Sequence, residues 1–225
     1  MIRVQELAAG YGKNTVFSRL SFYASAENSP LVLAGKNGAG KSTLLHLIAG
    51  FQKPQSGKIE FHGQKPGIAW LPQQYRLNLE LPVPEFVAMA CEKPGRWLSS
   101  RPADAHERAH AALERLGISR LADRNTHQLS GGEWQLLCLA QMLVQEAGIW
   151  LLDEPTASLD IGFKNKVFNI LWEEAAAGKI IILSTHDIPF LPEQGGRFLL
   201  VNNQPQIFPN EDQARKQLIL KLQED

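Results

Sequence analysis

The sequence lacks most of the features that would place a chain in a membrane, outside the cell or on nucleic acid. No apolar run approaches the roughly 18 residues that a membrane-spanning helix needs. The opening MIRVQELAAG has no apolar stretch after its first basic residue, so no secretory leader is expected. Only two cysteines occur, Cys91 and Cys138, far apart and without metal-ligand spacing; they read as free thiols in a reducing compartment. Charge of one sign is missing as well. The 23 Lys and Arg balance 23 Asp and Glu, which leaves no global field for nucleic acid or anionic lipid. Internal repeats and low-complexity segments are absent. Any attachment to a membrane must therefore come through a partner.

What is present is an alternation of short apolar runs with helical patterns. The runs LVLAG (31–35), GIAWL (67–71), GIWLLD (148–153), KIIILST (179–185) and RFLLV (197–201) have the length and branched content of buried strands in a largely parallel sheet. The class is α/β. RVQEL and NTVFSRLSFYA predict antiparallel strands flanking the core, with a turn from Glu27 to Pro30. Between residues 73 and 147 no strand-like run occurs, while 85–92, 103–116 and 133–146 carry apolar residues at helical spacing. At 225 residues, one domain is expected: a core of 1–72 and 148–225, with a helical subdomain at 73–147 and a terminal helix from Asn210.

The motif with the most direct chemistry is GKNGAGKST at 35–43, set between the strand LVLA and the helical stretch LLHLIAGF. It fits G-x-x-x-x-G-K-[ST] in its strand, loop, helix setting. Gly35, Lys36, Asn37, Gly38, Ala39 and Gly40 form a loop that turns backbone N–H groups onto phosphate oxygens at a helix N-terminus. Lys41 brings a full charge to the outer phosphates, Ser42 a hydroxyl for Mg²⁺, and Thr43 a further nucleotide contact. The strand IWLLDE ends in two acids at the strand edge where ligands sit in such sheets. Asp153 is placed to hold the magnesium shell and Glu154 to orient or deprotonate an attacking water. His186, after KIIILST, faces the same edge and suits contact with a γ-phosphate. Gln73 and Gln74 follow GIAWLP; sequence order favours Gln73 as a ligand to metal or water.

These residues indicate a P-loop NTPase with a place for Mg²⁺ and nothing narrower; LSGGE at 129–133 narrows it to a family likeness that implies ATP as the nucleotide. The segment resembles the LSGGQ signature of the ABC ATPase family. The resemblance implies that Ser130, Gly131 and Gly132 cap a γ-phosphate held by a second subunit, so a dimer, most simply a homodimer, follows. Tyr11 in AAGYGK is similar to the aromatic that stacks on adenine. Gln73 is similar to the Q-loop glutamine, and His186 to the switch histidine. Ser158 and Asp160, in SLD, are similar to the loop that crosses the dimer interface. Glu133 stands for the usual Gln; Leu136 and Gln141 stand where many members carry arginine, which predicts missing charge contacts and slower hydrolysis.

The chain has one nucleotide-binding unit with no fused membrane segment, coiled-coil insert or zinc cluster, as in stand-alone transporter subunits. SGGEWQ, LPQQ and LNLELPVPEFVAMA resemble ATPases of bacterial importers for iron-siderophore, haem, cobalamin or transition-metal solutes. That likeness implies a location at the cytoplasmic face of the inner membrane, permease subunits and an extracytoplasmic solute-binding protein as partners, and no nucleic acid. The alternative is a soluble ABC ATPase acting on nucleic acid or the ribosome, a class that usually carries tandem units or large inserts.

Overall fold

A computed structural model describes residues 1–12, 14–63, 67–73, 76–77, 80–91, 102–202 and 205–224. In chain order the elements begin with β1 (Ile2–Tyr11), β2 (Asn14–Ala24), β3 (Leu31–Ala34), α1 (Lys41–Ala49), β4 (Ser56–Phe61) and β5 (Gly67–Leu71). There follow α2 (Val83–Ala88), α3 (Ala105–Leu116) and α4 (Gly131–Val144). The chain then returns to β6 (Ala147–Asp153), α5 (Ile161–Ala176), β7 (Ile180–Ser184), β8 (Arg197–Leu200), β9 (Gln206–Pro209) and α6 (Asp212–Glu224).

The central sheet has the order β5-β6-β7-β3-β8-β9, parallel except for the last pair. Period-two alternation sends its side chains to two faces. Leu31, Leu33, Ile149, Leu151, Ile180, Ile182 and Leu199 pack with α1 and the N-terminal strands. Val32, Ala34, Trp150, Leu152, Ile181, Leu183 and Phe198 pack against the helices on the other side. Each such side chain contributes about 1.5–3 kcal/mol by burial, which is why the sheet tolerates no polar residue in mid-strand.

The antiparallel part is a three-stranded sheet, β2-β1-β4. Its two long strands change phase midway. Ile2 and Val4 are buried, then Leu7 and Ala9; Phe17 is buried, then Leu20, Phe22 and Ala24. The three-residue steps coincide with positive φ at Glu6 (47°) and Arg19 (53°) and with irregular pairing around Leu7↔Leu20. These are β-bulges, each inserting one residue so that both halves of a strand keep their apolar face inward.

The expected elements are present, with shifts. The helix expected at 85–92 is the six-residue α2, starting earlier at Val83 with Pro near its first turn and ending in a tight turn at Met89–Cys91; residue 92 lies outside the described residues. Sequence reasoning missed β4, β9 and α5. Both strands are short and largely exposed, and α5 has Lys, Asn and Glu interleaved with its apolar residues. Cys91 and Cys138 are buried, and neither is in a disulfide. Among the described residues, no helix is long and apolar enough to cross a membrane.

Parallel pairing brings several strand ends to one edge. Asp153 is in register with Ser184, Leu33 also pairs with Ser184, and Ala34 pairs with Leu200. The loops leaving β3, β5, β6 and β7 therefore emerge side by side.

Candidate active site

Residues 35–40 leave β3 and turn into α1, whose N-cap, Gly40, has φ 99°. A Cβ there would lie 2.2 Å from Val16 Cγ1, so the left-handed backbone and the close approach both require glycine. The turn folds the loop around Lys41, which is 7% exposed; its Nζ donates to Gly35 O (2.7 Å) and Lys36 O (3.1 Å) and lies 3.4 Å from His186 Nε2. Burial lowers the ammonium below the ordinary lysine range, while Glu154 and Asp153 pull it back up. The ammonium is thus positioned by two loop carbonyls, with a third donor for a phosphate group.

Asp153 ends β6, buried, and accepts from Ser184 Oγ at 2.5 Å. Glu154 follows with φ 50°, a left-handed backbone that costs a non-glycine residue about 1–2 kcal/mol. Its N–H is fixed by Ser184 O (3.2 Å) and Ser184 Oγ (3.0 Å), which over-determine the strained turn. The turn aims a buried carboxylate into the site. Oε2 accepts from His186 N at 3.4 Å; Oε1 faces His186 Nε2 at 3.2 Å but accepts no hydrogen bond. Burial pushes this carboxyl up, against the opposing pull of His186 and Lys41. An orphaned acceptor on a raised carboxyl is suited to receive a proton from a water molecule.

These groups line one cavity of about 730 Å³, together with Asn37, Gly38, Ser42, Thr43 and Gln73. A divalent cation fits the donor set of Ser42, Gln73 and Asp153, all hard oxygens of the kind Mg²⁺ accepts alongside phosphate and water. Among the described residues, no group of three or more His, Cys, Asp or Glu is placed to hold a metal alone. A second cavity of about 650 Å³ lies beside the same loop, between Gly35–Ala39 and Val201, Asn202 and Leu222.

Sequence reasoning missed four residues here. Ser184 anchors both acids. Asp187 accepts from Thr156 Oγ1 and from Lys164 Nζ, each at 2.7 Å, and both Asp187 and Lys164 line the cavity, which ties the start of α5 to the residue after His186. Arg76 Nη2 donates to Leu129 O at 2.8 Å, linking the segment after Gln73 to the start of the LSGGE motif. Only Ser184, as the polar end of an apolar strand, left any signal in the sequence. Tyr11 closes β1, but its side chain, like Gln74, lies outside the described residues.

Ser130, Gly131 and Gly132 do not line the cavity. Ser130 is the exposed N-cap of α4, and its Oγ accepts from Glu133 N at 3.3 Å. Gly132 packs on the loop after Glu154: a Cβ would lie 2.7 Å from Ser158 O. Ser158 and Asp160 are exposed, and Asp160 caps α5 by accepting from Phe163 N (3.0 Å), a local reason for this residue independent of any interface. The helix behind the motif is well packed. Leu136 is 2% exposed, Gln141 donates to Phe86 O at 2.7 Å, and Gln135 reaches Pro155 O at 3.3 Å. The contacts expected to be missing at Leu136 and Gln141 are thus replaced by core packing and a neutral hydrogen bond.

Residues 17–157 match the family model described as ABC transporter. A probable ABC transporter ATP-binding protein of Cyanophora paradoxa is 35% identical over 195 residues, 83% of this chain and 79% of the relative. A probable metal transport system ATP-binding protein of Chlamydia pneumoniae is 35% identical over 208 residues, 88% and 79% of the two chains. A cytochrome c biogenesis ATP-binding export protein of Rhizobium etli is 33% identical over 193 residues, 82% and 87%. Among solved structures, a transporter assigned to the metal-chelate ABC type, in an inward-facing conformation, superposes with TM-score 0.78 at 28% identity, covering 93% of this chain and 83% of that one. The chain belongs to the ABC transporter family and is one of its ATP-hydrolysing, ATP-binding subunits.

Proposed function

We propose that residues 1–225 act as one ATPase domain that powers a membrane importer for a metal ion or a metal chelate such as a siderophore, haem or cobalamin complex. The observation that carries the mechanism is the division of the site. The groups that bind and cleave a triphosphate share one cavity, while the exposed Ser130–Gly132 start of α4 stands outside it. A site so divided is completed by a second copy. The loop amides and Lys41 bind the phosphates of one ATP, Tyr11 stacks on its adenine, and Ser130, Gly131 and Gly132 of the partner close on its γ-phosphate, with Ser158 and Asp160 along the interface. Glu154 takes a proton from water through its unpaired Oε1, and Gln73 and His186 orient the water and the γ-phosphate. Ser42, Gln73 and Asp153 would hold Mg²⁺, which would supply charge neutralisation for the phosphates when bound.

The closed dimer binds ATP more tightly than the open one, so ATP shifts the pair toward closure and hydrolysis resets it. That movement drives permease subunits at the cytoplasmic face of the inner membrane, served by an extracytoplasmic solute-binding protein. Two relatives named for metal and metal-chelate transport support the solute class. The export protein among the relatives supports a second reading in which the direction is outward.

Light scattering of Glu154→Gln with Mg-ATP tests the shared site. The mass should rise from 25.0 kDa to about twice that, and an ATP-bound monomer would overturn it. Co-purification with an integral permease, followed by ATP-driven uptake of a metal chelate into inside-facing vesicles, tests the rest. Extrusion instead of uptake would establish the outward reading, and retention on nucleic acid with steep salt dependence would replace both.

A further inference from the structure

Glu133 places a negative charge where a phosphate is to arrive. Its Oε2 accepts from both donors of Ser130, the backbone N–H and the hydroxyl, each at 3.0 Å. The free subunit therefore fills the head of α4 with its own carboxylate. That carboxylate is only 16% exposed and is bound from the side: Arg120 Nη1 lies 2.7 Å from Oε1 and Arg124 Nη1 3.6 Å from it. Arg120 stands in the short turn Ser119–Leu121 after α3, and both guanidinium groups are about half exposed. Arg120 and the Ser130 donors hold the Glu133 carboxyl down at about 2, so protonation does not remove the charge near neutral pH. Neutralisation has to come from the arginines.

We propose that Arg120, supported by Arg124, is a positioning residue for the shared nucleotide site: it neutralises and anchors Glu133 so that the Ser130 hydroxyl can turn from that carboxylate to the γ-phosphate of the partner subunit's ATP. The inference rests on the shared-site reading above. Two anions at one helix start repel, and a pair deprived of one partner leaves the other charge uncompensated. Arg120 does not line the ATP cavity, so its loss should leave the monomer's own nucleotide affinity in place.

The test uses Glu154→Gln as parent and measures the Mg-ATP concentration that gives half-maximal dimer. Arg120→Gln should raise it about three- to tenfold, and Arg120→Gln with Glu133→Gln should return it to within about twofold of the parent. Arg120→Lys, which keeps a charge and guards against misfolding of the neutral variant, should retain most of the parent's behaviour. In hydrolysis by the chain with Glu154 intact, Arg120→Gln should raise KM for ATP more than it lowers kcat. Dimerisation of Arg120→Gln at the parent's ATP concentration would overturn the proposal, as would a double variant no better than Arg120→Gln alone. A parent that stays monomeric would overturn the shared site itself, and Arg120's role with it.

Discussion

Replacing Lys41 with alanine removes the ammonium around which the phosphate loop is wrapped. Two losses follow. The charged hydrogen bond to a phosphate oxygen contributes about 1.5–3 kcal/mol. The loop carbonyls of Gly35 and Lys36, now held at 2.7 and 3.1 Å, lose their common donor, worth about 1 kcal/mol in loop order. Together these predict about 2.5–4 kcal/mol, or roughly two to three orders of magnitude in ATP affinity at 1.4 kcal/mol per tenfold. Calorimetric titration of Mg-ATP into wild type and Lys41→Ala measures it, with thermal melting as the folding control. A variant that binds within about threefold of wild type would refute the assignment of this loop to the phosphates. The same lysine carries a pH signature. Its lowered ammonium loses its proton at a pH below that of an ordinary lysine, so ATP affinity should begin to fall early on the alkaline side. Bound phosphate favours the charged form, so binding there should take up protons, visible as a buffer-dependent enthalpy.

Three further outcomes are expected. Because burial raises the folded Glu154 carboxyl above its unfolded value of 4.5, the native state holds more protons than the unfolded chain between those two values, and stability falls as pH rises through that interval. Glu154→Gln should therefore melt higher than wild type near neutral pH and converge with it in acid; a lower melting point at neutral pH would contradict the raised carboxyl. Gly132→Ala forces a methyl to 2.7 Å from Ser158 O at a cost of about 1–3 kcal/mol, and should cut hydrolysis at least about tenfold while the monomer still binds ATP. Unchanged turnover would show that the contact relaxes freely. Arg76→Ala removes the 2.8 Å bond to Leu129 O and should speed amide hydrogen exchange at Ser130–Gly132 while lowering hydrolysis a few-fold; unaltered exchange would show that Arg76 does not hold the motif.

The parts of this molecule that were legible in the sequence are those written as local patterns. The five apolar runs became five strands of the central sheet; in β3, β6, β7 and β8 burial on two faces leaves no room for alternation, while Ile68 of the edge strand β5 is exposed. GKNGAGKST was legible because a loop that exposes its amides needs glycine at fixed places, Gly40 among them. The bulges in β1 and β2 were not read from the sequence, because their three-residue steps between buried positions show only when the strands are paired. What stayed hidden depends on tertiary approach. Nothing local to Asp187 tells that Lys164 and Thr156 will meet it, and nothing near Arg76 points to Leu129, 53 positions away. The expectation of missing charge contacts at Leu136 and Gln141 left out, for the same reason, the neutral partners that the fold supplies in their place.

Those long-range contacts have a common geometry. Arg76 joins the Gln73 segment to Leu129, Gln135 joins α4 to Pro155, Gly132 abuts Ser158, and Lys164 with Thr156 joins the loop after Glu154 to Asp187. Each contact joins two of the segments, loop or adjoining helix, that carry Gln73, Ser130, Glu154 and His186. No loop can therefore move alone without breaking a hydrogen bond or opening a packed contact, at about 1 kcal/mol or more for each. Under the proposed function, an event at the outer phosphate, felt through His186 and Glu154, would have a contiguous route of bonds and packed contacts to the head of α4. The motif that stands outside the cavity is attached to it by these contacts, and under the proposed shared site that attachment would let one subunit's cavity bias the face it offers to a second copy.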